Sequence, residues 1–128
     1  MKATITSNLR THPGLKFLRS ATDNKPTPFQ KSVYAAICEI PPGKVTTYKL
    51  LALHLHCKSS QAIGQALKRN PFAPDVPCHR VVAHNRKMGG FCGATSGAKI
   101  DKKVRMLQEE GVLIREGIVD ASCLYHFP

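Results

Sequence analysis

The spacing of apolar residues divides the chain into helical and non-helical stretches. Phe29, Val33, Ile37 and Ile40 recur at three- and four-residue intervals, which places them on one face of a helix. Thr27-Pro28 supplies its start, a capping hydroxyl ahead of a proline at the first helical position. Pro41-Pro42-Gly43 ends it. Val45-Thr46-Thr47 leads into a second short helix, capped by Thr47 and carrying Leu50, Leu51 and Leu53. Cys57-Lys58-Ser59 reads as a tight turn. Ser60 then caps a third helix through Ile63, Ala66 and Leu67 that stops before Asn70-Pro71. Two short helices across a brief turn outline a helix-turn-helix.

From Asn70 to Gly97 no helical period is visible, and a stretch of that length inside a small domain is more often functional than idle. The helical pattern resumes with Ile100, Val104 and Leu107, and Gly111 closes it. Residues 112–114 and 118–119 read as short strands, with Tyr125 and Phe127 packing down as a terminal lock. The expected fold is α+β and mostly helical, built around a winged-helix-like helix-turn-helix. Residues 1–26 are basic and weakly patterned, an arm with a short strand over residues 3–6, and residues 27–128 form the domain proper.

Composition narrows the class. A chain of 128 residues, 42% hydrophobic, suits one domain with a real core. No apolar run approaches the ~18 residues of a membrane span, and the first ten residues lack the apolar segment of a secretory signal. Five cysteines, odd in number and never spaced C-x-x-C, argue against a disulfide framework or a zinc site. His54, His56 and Cys57 cluster at a helix end without a second ligand pair, so no metal is expected. The expected setting is intracellular: nucleus in a eukaryote, cytoplasm or nucleoid in a prokaryote. Charge adds a partner. Lys and Arg number 19 against 8 acids, a formal charge of +11. Between Lys44 and Lys87 lie eight basic residues and only Asp75 as an acid, so this window alone holds +7. The helix-turn-helix and the segment after it thus form the basic face, suited to a phosphate backbone.

The chemistry concentrates in Pro77-Cys78-His79-Arg80-Val81-Val82. A cysteine becomes a nucleophile when a base or nearby positive charge stabilises its thiolate. On a strand, adjacent side chains face opposite ways, so His79 reaches Cys78 only through a turn or a bridging water. In isolation such a pair is more often a buried thiol beside a satisfied core histidine.

The surroundings change that balance. Pro77-Cys78-His79-Arg80-Val81 resembles the active-site motif of the O6-alkylguanine-DNA alkyltransferases. Thr27-Pro28-Phe29-Gln30 with Val33-Tyr34 is similar to that family's opening helix, and the run from Ile40 to Tyr48 with Leu51-Ala52 to its next segment. Ala62-Ile63-Gly64, then Asn70-Pro71, fall at the recognition-helix and hinge positions, and Glu110-Gly111 ends the last helix as the family does. The resemblance covers about residues 27–127 and only the family's catalytic domain; the larger N-terminal domain of many members has no counterpart.

The resemblance implies a suicide DNA repair protein acting without cofactor. Cys78, deprotonated toward His79 and through it Glu110, would attack the alkyl carbon on the O6 of a flipped guanine. Tyr48 would be the proton donor to the departing guanine, Lys103 would help hold the anionic state, and Asn70 would brace the active-site segment. Ser59, Ser60, Ala62 and Gly64, all small, would let the third helix approach the minor groove of double-stranded DNA, with Arg80 as a further DNA contact. The expected protein is a monomer with no membrane partner.

Three positions depart from the family pattern. Gln61 stands where members usually carry an intercalating arginine, Phe91 where many have a pocket tyrosine, and Cys92 where a serine is common. These changes bear on rate and substrate range rather than reaction type. The alternative is a non-enzymatic alkyltransferase-like lesion sensor that binds O6-alkylguanine and recruits other repair factors. Such relatives lack the nucleophilic cysteine, so Cys78 argues against it.

The +7 window carries a direct consequence. Affinity for duplex DNA should fall by about tenfold or more between roughly 50 and 200 mM salt, because binding releases condensed counterions. A flat affinity over that range would contradict a basic DNA face.

Overall fold

The computed structural model describes residues 27–71, 75–89 and 97–128. The basic arm, with its expected strand, lies outside them. Among the described residues four helices carry the fold: α1 (Pro28–Ile37), α2 (Tyr48–His54), α3 (Ser60–Lys68) and α4 (Ala98–Glu109). Four two-residue strands accompany them: β1 (Thr46–Thr47), β2 (Val81–Val82), β3 (Ile114–Arg115) and β4 (Ile118–Val119). Tight 3-10 turns occupy Cys78–Arg80 and Ala121–Cys123. The architecture is α+β and mostly helical, as the periodicity predicts.

The helix starts are chemical. Thr27 and Gln30 form a reciprocal capping box ahead of Pro28 on α1. Thr47 accepts from the Leu50 amide to begin α2. On α3 the cap is Ser59, which accepts from Ala62 N at 3.1 Å, and not Ser60, which is the first helical residue. The apolar faces also differ in detail from the simple period. Val33, Tyr34 and Ile37 are buried on α1, whereas Phe29 sits at its exposed edge and Ile40 lies beyond its end. On α2, Leu51 and Ala52 are buried and Leu53 is exposed. A seven-residue helix has room for only one inward turn.

The turn between α2 and α3 is a Schellman closure. Cys57 N bonds Ala52 O at 2.8 Å and His56 N bonds Leu53 O at 3.2 Å, with His56 at φ 54°. This closure sets α3 against α2 and α1, as a helix-turn-helix requires.

β1 and β2 pair in parallel, Thr46 with Val81 and Thr47 with Val82. A parallel pair needs a crossover, and here the crossover contains α2, α3 and the Cys78–Arg80 turn. Val81 and Val82 face opposite ways and join two different cores. Val81 packs with Val33, Ile37, Leu51, Ile63 and Val76, and Val82 with Val45, Met88, Leu107, Val112 and Val119. The central pair thus seals both halves and holds the segment after Cys78 between them.

β3 and β4 form an antiparallel hairpin whose two loop residues, Glu116 and Gly117, both have positive φ. Its first strand begins at Ile114, not at residue 112, because Val112 is drawn into the end of α4. The tail returns to the body: Tyr125 N donates to Val45 O at 2.6 Å, and Phe127 stacks on His54 with ring centroids 4.1 Å apart.

Gly43 ties this scaffold to the end of α4. It has φ +89°, and a Cβ there would lie 3.1 Å from the Glu110 carbonyl oxygen. Gly43→Ala should therefore lower stability by roughly 1–3 kcal/mol, from backbone strain and the close contact together. Urea denaturation checks this; an unchanged midpoint would mean the turn shifts freely.

Candidate active site

Cys78 is delivered by a rigid turn. Pro77, at φ −81° and ψ 67°, is the centre of an inverse γ-turn in which Cys78 N donates to Val76 O at 2.8 Å. Proline fixes that φ in advance. The same Val76 carbonyl accepts from Asn70 Nδ2 at 2.9 Å, so Asn70 pins the end of α3 to the residue two before the thiol. Arg80 N then closes onto Pro77 O at 3.0 Å. Within this 3-10 turn successive side chains fan out at about 120°. Cys78, His79 and Arg80 therefore point three ways rather than alternating as on a strand, and all three are buried.

Glu110 meets this turn from α4. Gly111 N bonds Gln108 O and Val112 N bonds Leu107 O, both at 3.0 Å, a Schellman motif that fixes Glu110 as the C-cap. An acid there opposes the helix dipole and needs a cation. It has one. Arg80 donates Nε to Oε1 at 3.0 Å and Nη2 to Oε2 at 2.7 Å. His79 Nε2 lies 3.0 Å from Oε2. Burial would raise the Glu110 pKa, but the hydrogen bonds from Arg80 and His79 outweigh it and hold the carboxyl below its ordinary range.

His79 moves downward as well. Burial is the largest cause and outweighs the carboxylate, with Arg80 and Lys103 adding positive field. The His79–Glu110 contact is thus a hydrogen bond from a neutral imidazole rather than an ion pair. An ionised carboxylate can only accept, so Nε2 carries the hydrogen and Nδ1 is the bare acceptor. Nδ1 is buried and meets no hydrogen-bonding protein atom among the described residues. A basic nitrogen next in sequence to a thiol is what thiolate formation requires.

Lys103, fully buried on α4, donates Nζ to Val81 O at 2.7 Å and to Met88 O at 2.6 Å. It clamps the strand after the turn to the segment that leads to Gly89. Tyr48 opens α2 with its ring against that segment: a Cβ on Gly89 would lie 3.1 Å from Tyr48 Cε2. Phe91 and Cys92 lie outside the described residues.

On α3, Ser59, Ser60 and Gln61 are exposed, and Ala62 and Gly64 are partly so. Among the described residues, apart from the helix's own backbone, nothing lies within 4 Å of where a Gly64 Cβ would stand. Arg80 does not share this face. Its guanidinium is directed inward, held by Glu110 and by Ile40 O at 2.8 Å, which corrects its expected place among the DNA contacts.

Sequence reasoning missed Tyr34 as a site residue. Its hydroxyl donates to Ala66 O at 2.7 Å, tying α1 to α3. Burial pushes its pKa up to about 12, and Cys78 adds to the rise, so the phenol stays neutral beside the thiol. The available signal was a tyrosine on the apolar face of α1, whose hydroxyl must find a partner when buried. Among the described residues no group of three or more His, Cys, Asp or Glu side chains is placed to hold a metal ion, and no helix is long and apolar enough to cross a membrane.

A family model described as 6-O-methylguanine DNA methyltransferase, DNA binding domain, matches residues 28–112. A methylated-DNA–protein-cysteine methyltransferase of Saccharolobus islandicus is 42% identical over 99 residues, 77% of this chain and 61% of that relative. The chain therefore spans about three fifths of that relative's length. Its counterpart from Methanosarcina mazei is 42% identical over 87 residues, 67% of this chain and 53% of its own. Among solved structures, O6-methylguanine-DNA methyltransferase from Pyrococcus kodakaraensis superposes with a TM-score of 0.64 at 37% identity, over 86% of this chain and 62% of that one. S. pombe Atl1, in complex with damaged DNA containing O6-carboxymethylguanine, gives 0.65 at 30% identity, over 76% of this chain and 94% of that one.

The lowered His79 and Glu110 values predict how stability depends on acidity. A group whose pKa falls on folding contributes fully above its unfolded value and loses that contribution as pH drops. For His79 the loss begins below its ordinary value of 6.5, and for Glu110 below 4.5. The urea midpoint should therefore decline in two steps as pH falls through these values. His79→Phe should flatten the upper step; an unchanged upper slope in that variant would contradict a buried neutral imidazole.

Proposed function

The chain belongs to the 6-O-methylguanine DNA methyltransferase family, and we propose on that premise that it repairs O6-alkylguanine in DNA by transferring the alkyl group to its own Cys78. The observation that carries this reading is the buried Cys78-His79 pair on one turn, with His79 Nε2 held by Glu110 and its Nδ1 buried without a hydrogen-bond partner among the described residues.

In the proposed reaction the Cys78 proton passes to His79 Nδ1, directly or through one water. The thiolate displaces O6 from the alkyl carbon, so a carbon–sulfur bond forms as the carbon–oxygen bond breaks. Guanine departs with the electron pair and takes a proton, for which the Tyr48 phenol is the candidate donor. The thioether is stable, so each chain acts once. No metal or organic cofactor enters a single displacement. Lys103, whose positive field reaches His79, would help hold the anionic state.

The target base must leave the duplex to reach a buried thiol. The exposed, small-residue face of α3 supports a close approach to the minor groove by Ser59, Ser60, Ala62 and Gly64. A glycine inside a helix costs about 1 kcal/mol relative to alanine. Here no neighbour among the described residues accounts for it, and close contact with an outside backbone would. Gln61, exposed in the first turn of α3, is the residue that fills the vacated stack. The partner in this reading is double-stranded DNA and the acting form a monomer inside the cell.

The likeness to Atl1, a chain spanned almost whole by this one, favours a second reading, a lesion sensor that binds without reacting. Cys78→Ala separates the two. It should abolish methyl transfer from duplex O6-methylguanine while leaving DNA affinity within about threefold, since the thiol is buried and makes little contact area. Peptide mapping of the wild-type protein should find the methyl group on Cys78. Methyl found on Cys38, Cys57, Cys92 or Cys123, or on no cysteine, would overturn the mechanism.

A further inference from the structure

We propose that Arg80 is the positioning residue of the His79–Glu110 pair: anchored to the Ile40 carbonyl, its guanidinium fork holds the Glu110 carboxylate so that His79 keeps Nδ1 free toward Cys78. The inference deepens the reading of Cys78 as nucleophile and rests on it for its catalytic meaning.

The geometry is that of a relay with a fixed origin. Ile40 lies just past α1, where its carbonyl has no helical partner and points at Arg80 Nη1, 2.8 Å away. From that anchor Nε and Nη2 reach both carboxylate oxygens of Glu110, and this two-point contact fixes the carboxylate plane as well as its distance. Oε2 then accepts from two donors, Arg80 Nη2 at 2.7 Å and His79 Nε2 at 3.0 Å. A lysine at position 80 would supply charge without the fork.

Burial makes the arrangement selective. Arg80 is 8% exposed, and its own charge is answered by Glu110, so neither charge remains unpaired in the interior. The groups that bear on the imidazole come from every side. Glu110 and Lys103 face it from α4, and Arg80 and Cys78 share its turn. From α1, Tyr34 lies toward Cys78, and the Cys38 thiol, raised to about 12 by burial, lies toward Arg80. Arg80 bonds the carboxylate that in turn bonds the imidazole. It acts on His79 in two opposed ways, keeping the Glu110 acceptor ionised and adding a positive field that keeps the ring neutral.

The full chain tests this with imidazole nitrogen NMR and with transfer kinetics on free O6-benzylguanine, which needs no DNA. In the wild type, His79 should be the neutral Nε2–H tautomer. In Arg80→Met its titration midpoint should rise by about one pH unit as the positive field is lost, and the acid limb of the transfer rate should move with it. Arg80→Lys, which keeps the charge, should slow transfer by about tenfold through loss of the fork, with duplex affinity within about twofold of wild type. An unchanged titration and tautomer in Arg80→Met would overturn the proposal. So would a wild-type rate in Arg80→Lys, or a loss of DNA affinity with normal reaction on the free base. Should Arg80→Met fail to fold, Arg80→Lys decides alone. If the wild type transfers no alkyl group, the alkyltransferase reading fails, and the titration still decides the role of Arg80.

Discussion

The carboxylate of Glu110 is the point at which the structure converges. It stands on the C-cap residue of α4, is gripped by Arg80 and orients His79, so the end of α4 and the Cys78–Arg80 turn, thirty residues apart, share one group. An acid at a helix C-terminus is unfavourable by itself. Here the cost is offset by two charge-assisted bonds from Arg80, each stronger than a neutral one, and by the imidazole. Because Arg80 is also fixed to Ile40, the end of α1 and the end of α4 are set relative to the Cys78 turn.

The rest of the molecule serves to present that turn without slack. Asn70 and the Cys78 amide both draw on Val76 O, and Pro77 cannot rotate away. Lys103 holds the two carbonyls that follow, and the parallel β1–β2 pair seals the cores on either side. Tyr34, whose phenol feels Cys78, ties α1 to Ala66 on α3.

Much of this was legible in the chain because it depends on local chemistry. Thr27-Pro28, the Thr47 cap and Gly111 mark helix ends through their own hydroxyls or permitted φ. Whatever depended on distant partners was not legible. Arg80 sits in a basic window and reads as a phosphate ligand, while the carboxylate that captures it lies thirty residues on. The sequence alone leaves Cys78-His79 open between strand alternation and a turn; the chain turns there, because a proline ahead of a 3-10 turn bends it before β2 begins. Phe29 and Leu53 follow the apolar period and still face water, since short helices bury only their central turn. His56 in a left-handed conformation closes α2 where sequence rules favour glycine.

The account stands on one chemical event, alkyl transfer to the protein itself. Excess duplex carrying O6-methylguanine, followed over time by intact protein mass and by the content of restored guanine, measures it directly. The account predicts that each chain gains the mass of a single methyl group, that one guanine appears per chain, and that repair then stops. Lesion binding with unchanged protein mass, or guanine release that continues past one per chain, would contradict it.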